Sequence, residues 1–345
     1  MKATKSWVVL LLAAVLACTG SACGLTSGPT ATALTIYTAR PSSISRKVID
    51  AFEAANPEYK GRVRVLTLGA GEAFERVRAE AHRPQADIWW GGTPQQFGKA
   101  VQAGLLAPAR DDAIAHVPEP FRGSGNLWLG EMRTANLIFY NHAMVDAAQA
   151  PKDWDDLIAP AQKGKLLIRD VAASGTMRSI YGALIGRSFA GTGNPQQGYD
   201  FLHALDRNTV AYAPNPNDLF LRMRRQEAPI SVWNLQDILV QRANGAPFTP
   251  VVPTSGVLTQ LDGVGKIRNG PHGGNADTFL EFLFRLSTQQ MLADQTFQLP
   301  TVPLPRDPAW LAGIGLHEMP VDWATVNREE DKWIDYWVQN IKNHR

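Results

Sequence analysis

The sequence predicts an α/β protein built from two successive units. Three observations predict it. Short runs rich in β-branched and aromatic residues alternate with runs whose apolar residues recur at helical spacing. The alternation begins at Leu34, changes character past residue 130, and resumes with new strands as far as residue 250. Three glycine-rich turns stand between a strand and the helix that follows it, where α/β proteins place their ligands.

Taken in order, Leu34–Tyr37 (LTIY) reads as a strand. Ser42–Ala55 reads as a helix, because Ile44, Val48, Ile49 and Phe52 share one face and Asn56-Pro57 stops it. Val63–Leu68 is a second strand, Glu72–Ala81 a second helix and Asp87–Trp90 a third strand closed by Gly91-Gly92-Thr93. Crossover helices between these strands predict a parallel sheet covered on both faces. Beyond residue 130 the predicted strands are Asn136–Tyr140, Gly164–Arg169, Pro229–Trp233, Pro250–Pro253 and Val264–Ile267. Helices are predicted at Asp153–Ile158, after Ser174-Gly175-Thr176, at Gly198–Leu205, and as one strong helix over Asn275–Leu292. Residues 307–345 read as mostly helical, with Trp323, Trp333 and Trp337 as packing residues.

The first 24 residues are a leader. Lys2 and Lys5 precede the apolar run Trp7–Ala17, which is too short to span a bilayer and suits an export signal. Cys18 and Cys23 are the only cysteines in the chain, and each follows a short motif (VLA, GSA) resembling a bacterial lipobox. Either is a candidate for acylation: Cys18 has the better apolar residue before it, Cys23 the better small-residue run. Plain secretion is the alternative. If lipid holds the chain at a membrane, serine at both positions should release it to the soluble fraction; retention would contradict the anchor. Residues 23–33 are small and polar and read as a tether.

The formal charge of +2 falls to about zero once the leader's two lysines are gone, which disfavours a nucleic-acid partner. With no cysteine in the body, thiolate metal sites and a cysteine nucleophile are excluded there. No HExxH, GxSxG, Walker A or complete GxGxxG pattern occurs, and the seven histidines are scattered. Ser174-Gly175-Thr176 suits a phosphate, phosphonate or carboxylate, since hydroxyls and free amides meet at a helix start; the same residues also suit an ordinary N-cap. Trp89, Trp90 and Trp233 stand at strand ends, placed for core packing or for stacking on a ligand. Arg40 is either an anion partner in the cleft or a solvated loop residue.

Several segments carry a family resemblance: Leu34–Arg40 (LTIYTAR), Leu68–Ala73 (LGAGEA), Pro84–Thr93 (PQADIWWGGT), Gly104–Leu106, Trp154–Leu157, Gly164-Lys165, Ser174–Thr176, Trp233–Asp237 (WNLQD), Asp262-Gly263 and Gln289-Gln290. In order and spacing they resemble the extracellular solute-binding proteins of bacterial ABC importers over residues 34–305. The nearest branch is that of the binders of ferric iron, hexose phosphates, phosphoglycerate or aminoethylphosphonate. The resemblance implies a type II periplasmic-binding-protein-like fold, with two lobes, a two-crossover hinge and the ligand between them. Ferric binders of this branch carry two adjacent tyrosines late in the second lobe; Ser231–Asp237 here has none, and Pro41 stands where several place a histidine.

The expected organisation is a signal peptide over 1–22, the tether over 23–33, lobe 1 over 34–130 plus 251–305, lobe 2 over 131–250, and a C-terminal helical segment over 306–345. The expected function is a solute-binding lipoprotein that captures a small organic anion and presents it to an ABC permease. No enzymatic activity, cofactor, metal or nucleic acid is expected, and the protein is expected to be a monomer. The alternatives are a ferric-iron binder and an exported lipid-anchored hydrolase. The candidate ligand-binding residues are Thr38, Arg40, Gly71, Glu72, Trp90, Gly91, Gly92, Thr93, Ser174, Gly175, Thr176, Trp233 and Asn234.

Overall fold

The computed structural model describes residues 31–343. The leader, Cys18 and Cys23, and residues 23–30 of the tether lie outside them. The first part of the chain runs β1 (Leu34–Thr38), α1 (Ser42–Ala55), β2 (Val63–Thr67), α2 (Ala70–Ala79), β3 (Ile88–Trp90), α3 (Pro94–Gln102), β4 (Leu106–Ala107) and α4 (Asp111–Ile114). A long strand, β5 (Leu129–Asn141), follows. Then come β6 (Leu166–Arg169), α5 (Gly175–Thr192), α6 (Gln196–Asn208), β7 (Thr209–Ala213), α7 (Pro216–Arg224), β8 (Ile230–Asn234), α8 (Leu235–Ala243) and β9 (Phe248–Val251). The chain closes with β10 (Leu258–Ile267), α9 (Gly273–Phe284), α10 (Leu286–Thr296), β11 (Leu299–Pro300) and α11 (Trp323–Asn340).

Local chemistry accounts for the element ends. α1 buries Ile44, Val48, Ile49 and Phe52 and ends at Asn56, whose backbone leaves the helical region (φ −136°, ψ 78°) before the proline that follows. Ser174 caps α5 by accepting from the Met177 amide at 3.2 Å, and Gly193 ends that helix in the left-handed region at φ 66°.

The strands join in the order β2-β1-β3-β10-β5-β8-β6-β7. β1 pairs in parallel with β2 and β3, and β6 pairs in parallel with β7 and β8. Between these two parallel sets, β10 and β5 run antiparallel to their neighbours and to each other. The sheet is therefore mixed, which corrects the parallel expectation. Helical crossovers announce parallel neighbours in a sequence, but the pairing of strands as far apart as Asn136 and Leu258 leaves no local trace.

Three apolar clusters lie around this sheet. One covers the face of β1 and β3 under α1, α9 and α10, through Val48, Phe52, Trp90 and Phe279. A second covers the other face under α2 and α3, through Tyr37, Val77, Trp89 and Phe97. The third surrounds β5, β6 and β8 and takes in α5, α6 and the Trp333 and Trp337 rings of α11. α5 is buried on more than one side, because α6 and α11 both pack on it. Two helical expectations need correction. Asn275–Leu292 is broken at Arg285, whose ψ of 136° is extended, with no proline or glycine to announce the break. Residues 307–345 hold one long helix, α11, after a stretch without long helix.

Candidate functional site

Two adjoining cavities, of about 580 and 260 Å³, share Ala39, Thr134, Thr176, Pro216 and Asp262 in their walls. They open where the carboxyl ends of both parallel sets meet. β1 delivers Ala39 and Arg40, β2 delivers Thr67, and β3 delivers Gly92 and Thr93. From the other set come Gly175 and Thr176 after β6, Pro216 and Asn217 after β7, and Trp233 and Asn234 at the end of β8. α/β proteins bind ligands at such ends because every strand-to-helix turn points there. A further cavity of about 450 Å³ lies on the opposite side of β5 and β10, walled by Pro94, Phe121, Trp128, Leu261 and Trp323. It has no comparable convergence of strand ends.

The floor of the main cavity is charged. Arg40 is 4% exposed. Its Nη2 donates to Glu131, its Nη1 lies 3.2 Å from Asp262 Oδ2, and it sits over the Trp90 ring. Burial opposes the guanidinium charge, but Asp262 and Glu131 more than restore it and raise its pKa. Glu131 is fully buried and also accepts from Trp90 Nε1 at 3.3 Å and Gln298 Nε2 at 2.5 Å. Asp262 Oδ1 takes the Gly92 amide at 2.7 Å. Burial pushes the Asp262 carboxyl up, while Arg40 and the Gly92 amide pull it down; burial prevails. Gly91 makes this approach possible: its φ of 98° suits glycine alone, and a Cβ there would stand 3.1 Å from that of Ala39.

The predicted residues divide into three groups. Arg40, Gly92, Thr93, Gly175, Thr176, Trp233 and Asn234 stand in the cavity walls. Thr38, Gly91 and Ser174 support the walls: the Thr38 hydroxyl accepts from the Arg40 amide at 3.0 Å, and Ser174 caps α5. Gly71, Glu72 and Trp90 are not brought to the cavity. Glu72 is exposed and accepts from the Gly69 amide at 3.3 Å, closing the start of α2. Trp90 is fully buried against Phe279, and Trp89 is stacked on Phe97 with centroids 4.2 Å apart. Both rings are core, because β3 is a central strand with helices on both of its faces.

Sequence reasoning did not name Thr134 of β5 or Gln260 of β10, and quoted Asp262 and Asp237 only within the motifs of the family resemblance, not as site residues; all four line the cavities. Asp237 Oδ2 accepts from Trp233 Nε1 and Asn234 Nδ2, both at 2.8 Å, while Asn234 caps α8 through the Asp237 amide. The Asn-x-x-Asp spacing is a capping signature and could have placed this group. Glu131 gave no signal: a lone acid in an apolar strand has no motif.

The fold, with its ligand cavity across two long connecting strands, is that of the type II periplasmic binding proteins. The chain belongs to the family described as bacterial extracellular solute-binding protein, whose model matches residues 84–318. The chain is 28% identical to an uncharacterized protein of Haemophilus influenzae, over 99% of this chain and 98% of that one. It is 24% identical to iron uptake protein A2 of Synechocystis, over 86% of each chain. The periplasmic binding protein AfuA of Actinobacillus pleuropneumoniae, solved with fructose 6-phosphate bound, superposes with a TM-score of 0.76 at 25% identity, over 90% of this chain and 98% of that one. The family and fold are those of extracellular binding proteins that serve ABC importers, as the resemblance implied. No helix among the described residues is long and apolar enough to cross a membrane.

Proposed function

We propose that the protein captures a small organic anion, phosphorylated or phosphonate in type, closes its two lobes over it on β5 and β10, and hands it to an ABC permease. One observation carries this reading. Six helices start at the cavity walls: α1 at Pro41 and Ser43, α2 at Ala70, α3 at Thr93, α5 at Gly175 and Thr176, α7 at Pro216 and Asn217, and α8 at Asn234 and Gln236. Each helix N-terminus carries roughly half a positive charge and amides without intrahelical partners. At α5 the Ser174 hydroxyl occupies the Met177 amide, which leaves the Gly175 and Thr176 amides for a ligand.

Ferric iron suits these walls less well. Fe³⁺ wants several anionic oxygens. The cavity walls hold Asp237 and Asp262, both already engaged by donors, and neither tyrosine nor histidine lines them. Among the described residues no group of three or more His, Cys, Asp or Glu is placed to hold a metal.

A thermal-shift panel of fructose 6-phosphate, 3-phosphoglycerate, alkylphosphonates and Fe³⁺ tests the reading, since a ligand of the folded state raises the midpoint. Thr176→Val removes one hydroxyl bond to the anion and should weaken the best phosphorylated ligand about ten- to a hundred-fold, with the unliganded midpoint little changed. Tight Fe³⁺ binding that is indifferent to Thr176→Val would contradict it.

A further inference from the structure

We infer that Asp237 is a positioning residue of the solute cavity: it holds the Trp233 ring and the Asn234 amide in one orientation before a solute arrives, and does not itself receive the solute. This rests on the anion reading and assigns a task to one residue within it. Trp233 and Asn234 end β8 and pair with Leu137 and Asn136 of β5. That pairing fixes their backbone and leaves their side-chain torsions open. Asp237, in the first turn of α8, closes them. Its Oδ2 accepts from Trp233 Nε1 and from Asn234 Nδ2, and its own amide donates to Asn234 Oδ1, each at 2.8 Å. All three residues belong to one strand-to-helix turn, so the clamp needs nothing from the β1–β3 side of the cavity and stands before closure.

Counting donors and acceptors shows what this corner leaves for a solute. An indole has one polar donor, and Asp237 takes it. Trp233 is 4% exposed, so the direction of that donor decides which part of the ring faces the cavity. Asn234 has one carbonyl oxygen and two amide hydrogens; capping of α8 engages the oxygen and Asp237 one hydrogen. The wall therefore offers the indole surface and a single Asn234 N–H, in the cavity of about 580 Å³ that Thr176 also lines. A ring and one donor suit the carbon frame and oxygen acceptors of an organic anion. Presetting them spares the ordering that binding would otherwise require. Both side-chain bonds end on one carboxylate oxygen, so the clamp uses an acceptor rather than a charge, and an asparagine oxygen can replace it.

The test compares Asp237→Asn, which keeps an acceptor oxygen, with Asp237→Ala, which keeps none. Two probes separate the organic body from the anion: fructose 6-phosphate, and inorganic phosphate, which has no body to rest on Trp233. In calorimetric titration of the full chain, Asp237→Ala should weaken fructose 6-phosphate about tenfold or more and leave inorganic phosphate within about threefold of wild type. Asp237→Asn should bind both probes as wild type does. A second readout needs no ligand. In chain labelled with 5-fluorotryptophan, the Trp233 resonance, assigned by Trp233→Phe, should keep its place in Asp237→Asn and shift or broaden in Asp237→Ala, with circular dichroism as the check on folding. Equal losses of fructose 6-phosphate binding in the two variants overturn the proposal, make Asp237 a charged contact of the solute, and leave the anion reading standing. An unmoved Trp233 resonance in Asp237→Ala also overturns it. A wild-type chain that binds neither probe overturns the anion reading, and the fluorine spectra then decide whether Asp237 holds the ring.

Discussion

Arg40→Met should cost about 3–5 kcal/mol of folding stability, most of what a domain of ordinary stability holds. Among the described residues, Arg40 is the only cation bonded to Glu131, which is fully buried. Methionine fills similar volume but leaves that carboxylate with Trp90 Nε1, Gln289 and Gln298 alone. Asp262 loses its cation as well. Denaturant unfolding of the single variant, read against Arg40→Met with Glu131→Met, separates the cause. If the loss comes from an orphaned buried charge, the double variant recovers much of it. A single variant as stable as wild type, with only ligand affinity lost, would mean that Arg40 is a plain anion receptor and the network is incidental.

Trp90→Ala should cost about 3–5 kcal/mol through the cavity left between β3 and α9. The ring is fully buried, meets Phe279 edge-on at 6.0 Å, and donates to Glu131. The expected signature is a large fall in the thermal midpoint. A variant of unchanged midpoint that had lost its ligand would restore Trp90 to the cavity wall. This effect should not add to that of Arg40→Met, because both residues hold the same carboxylate.

These residues show where a sequence is readable. Ser42–Ala55 was legible to the residue, because an apolar stripe and a proline stop are both local signals. Ser174, Gly175 and Thr176 were legible for the same reason: a capping residue and a helix start lie in one short stretch. Arg40 was legible as a candidate but not in its role, since Glu131 lies 91 residues away and Asp262 farther still. Trp89, Trp90 and Trp233 share a strand-end position, yet only Trp233 reaches the cavity. β3 has a core cluster on each face, whereas β8 ends at the cavity with Asp237 to hold the indole. Gln260 was invisible, because it reaches the cavity only through the pairing of β10 with β5, which brings it opposite Thr134.

The central claim is that an anion sits on the start of α5. The most direct measurement is the amide ¹H–¹⁵N shift of Gly175 and Thr176 during titration with the best ligand of the thermal-shift panel. Both amides should move strongly downfield and saturate with the calorimetric isotherm, because a charged acceptor polarises the N–H bond it receives. Saturable binding that leaves those two amides in place would contradict the account.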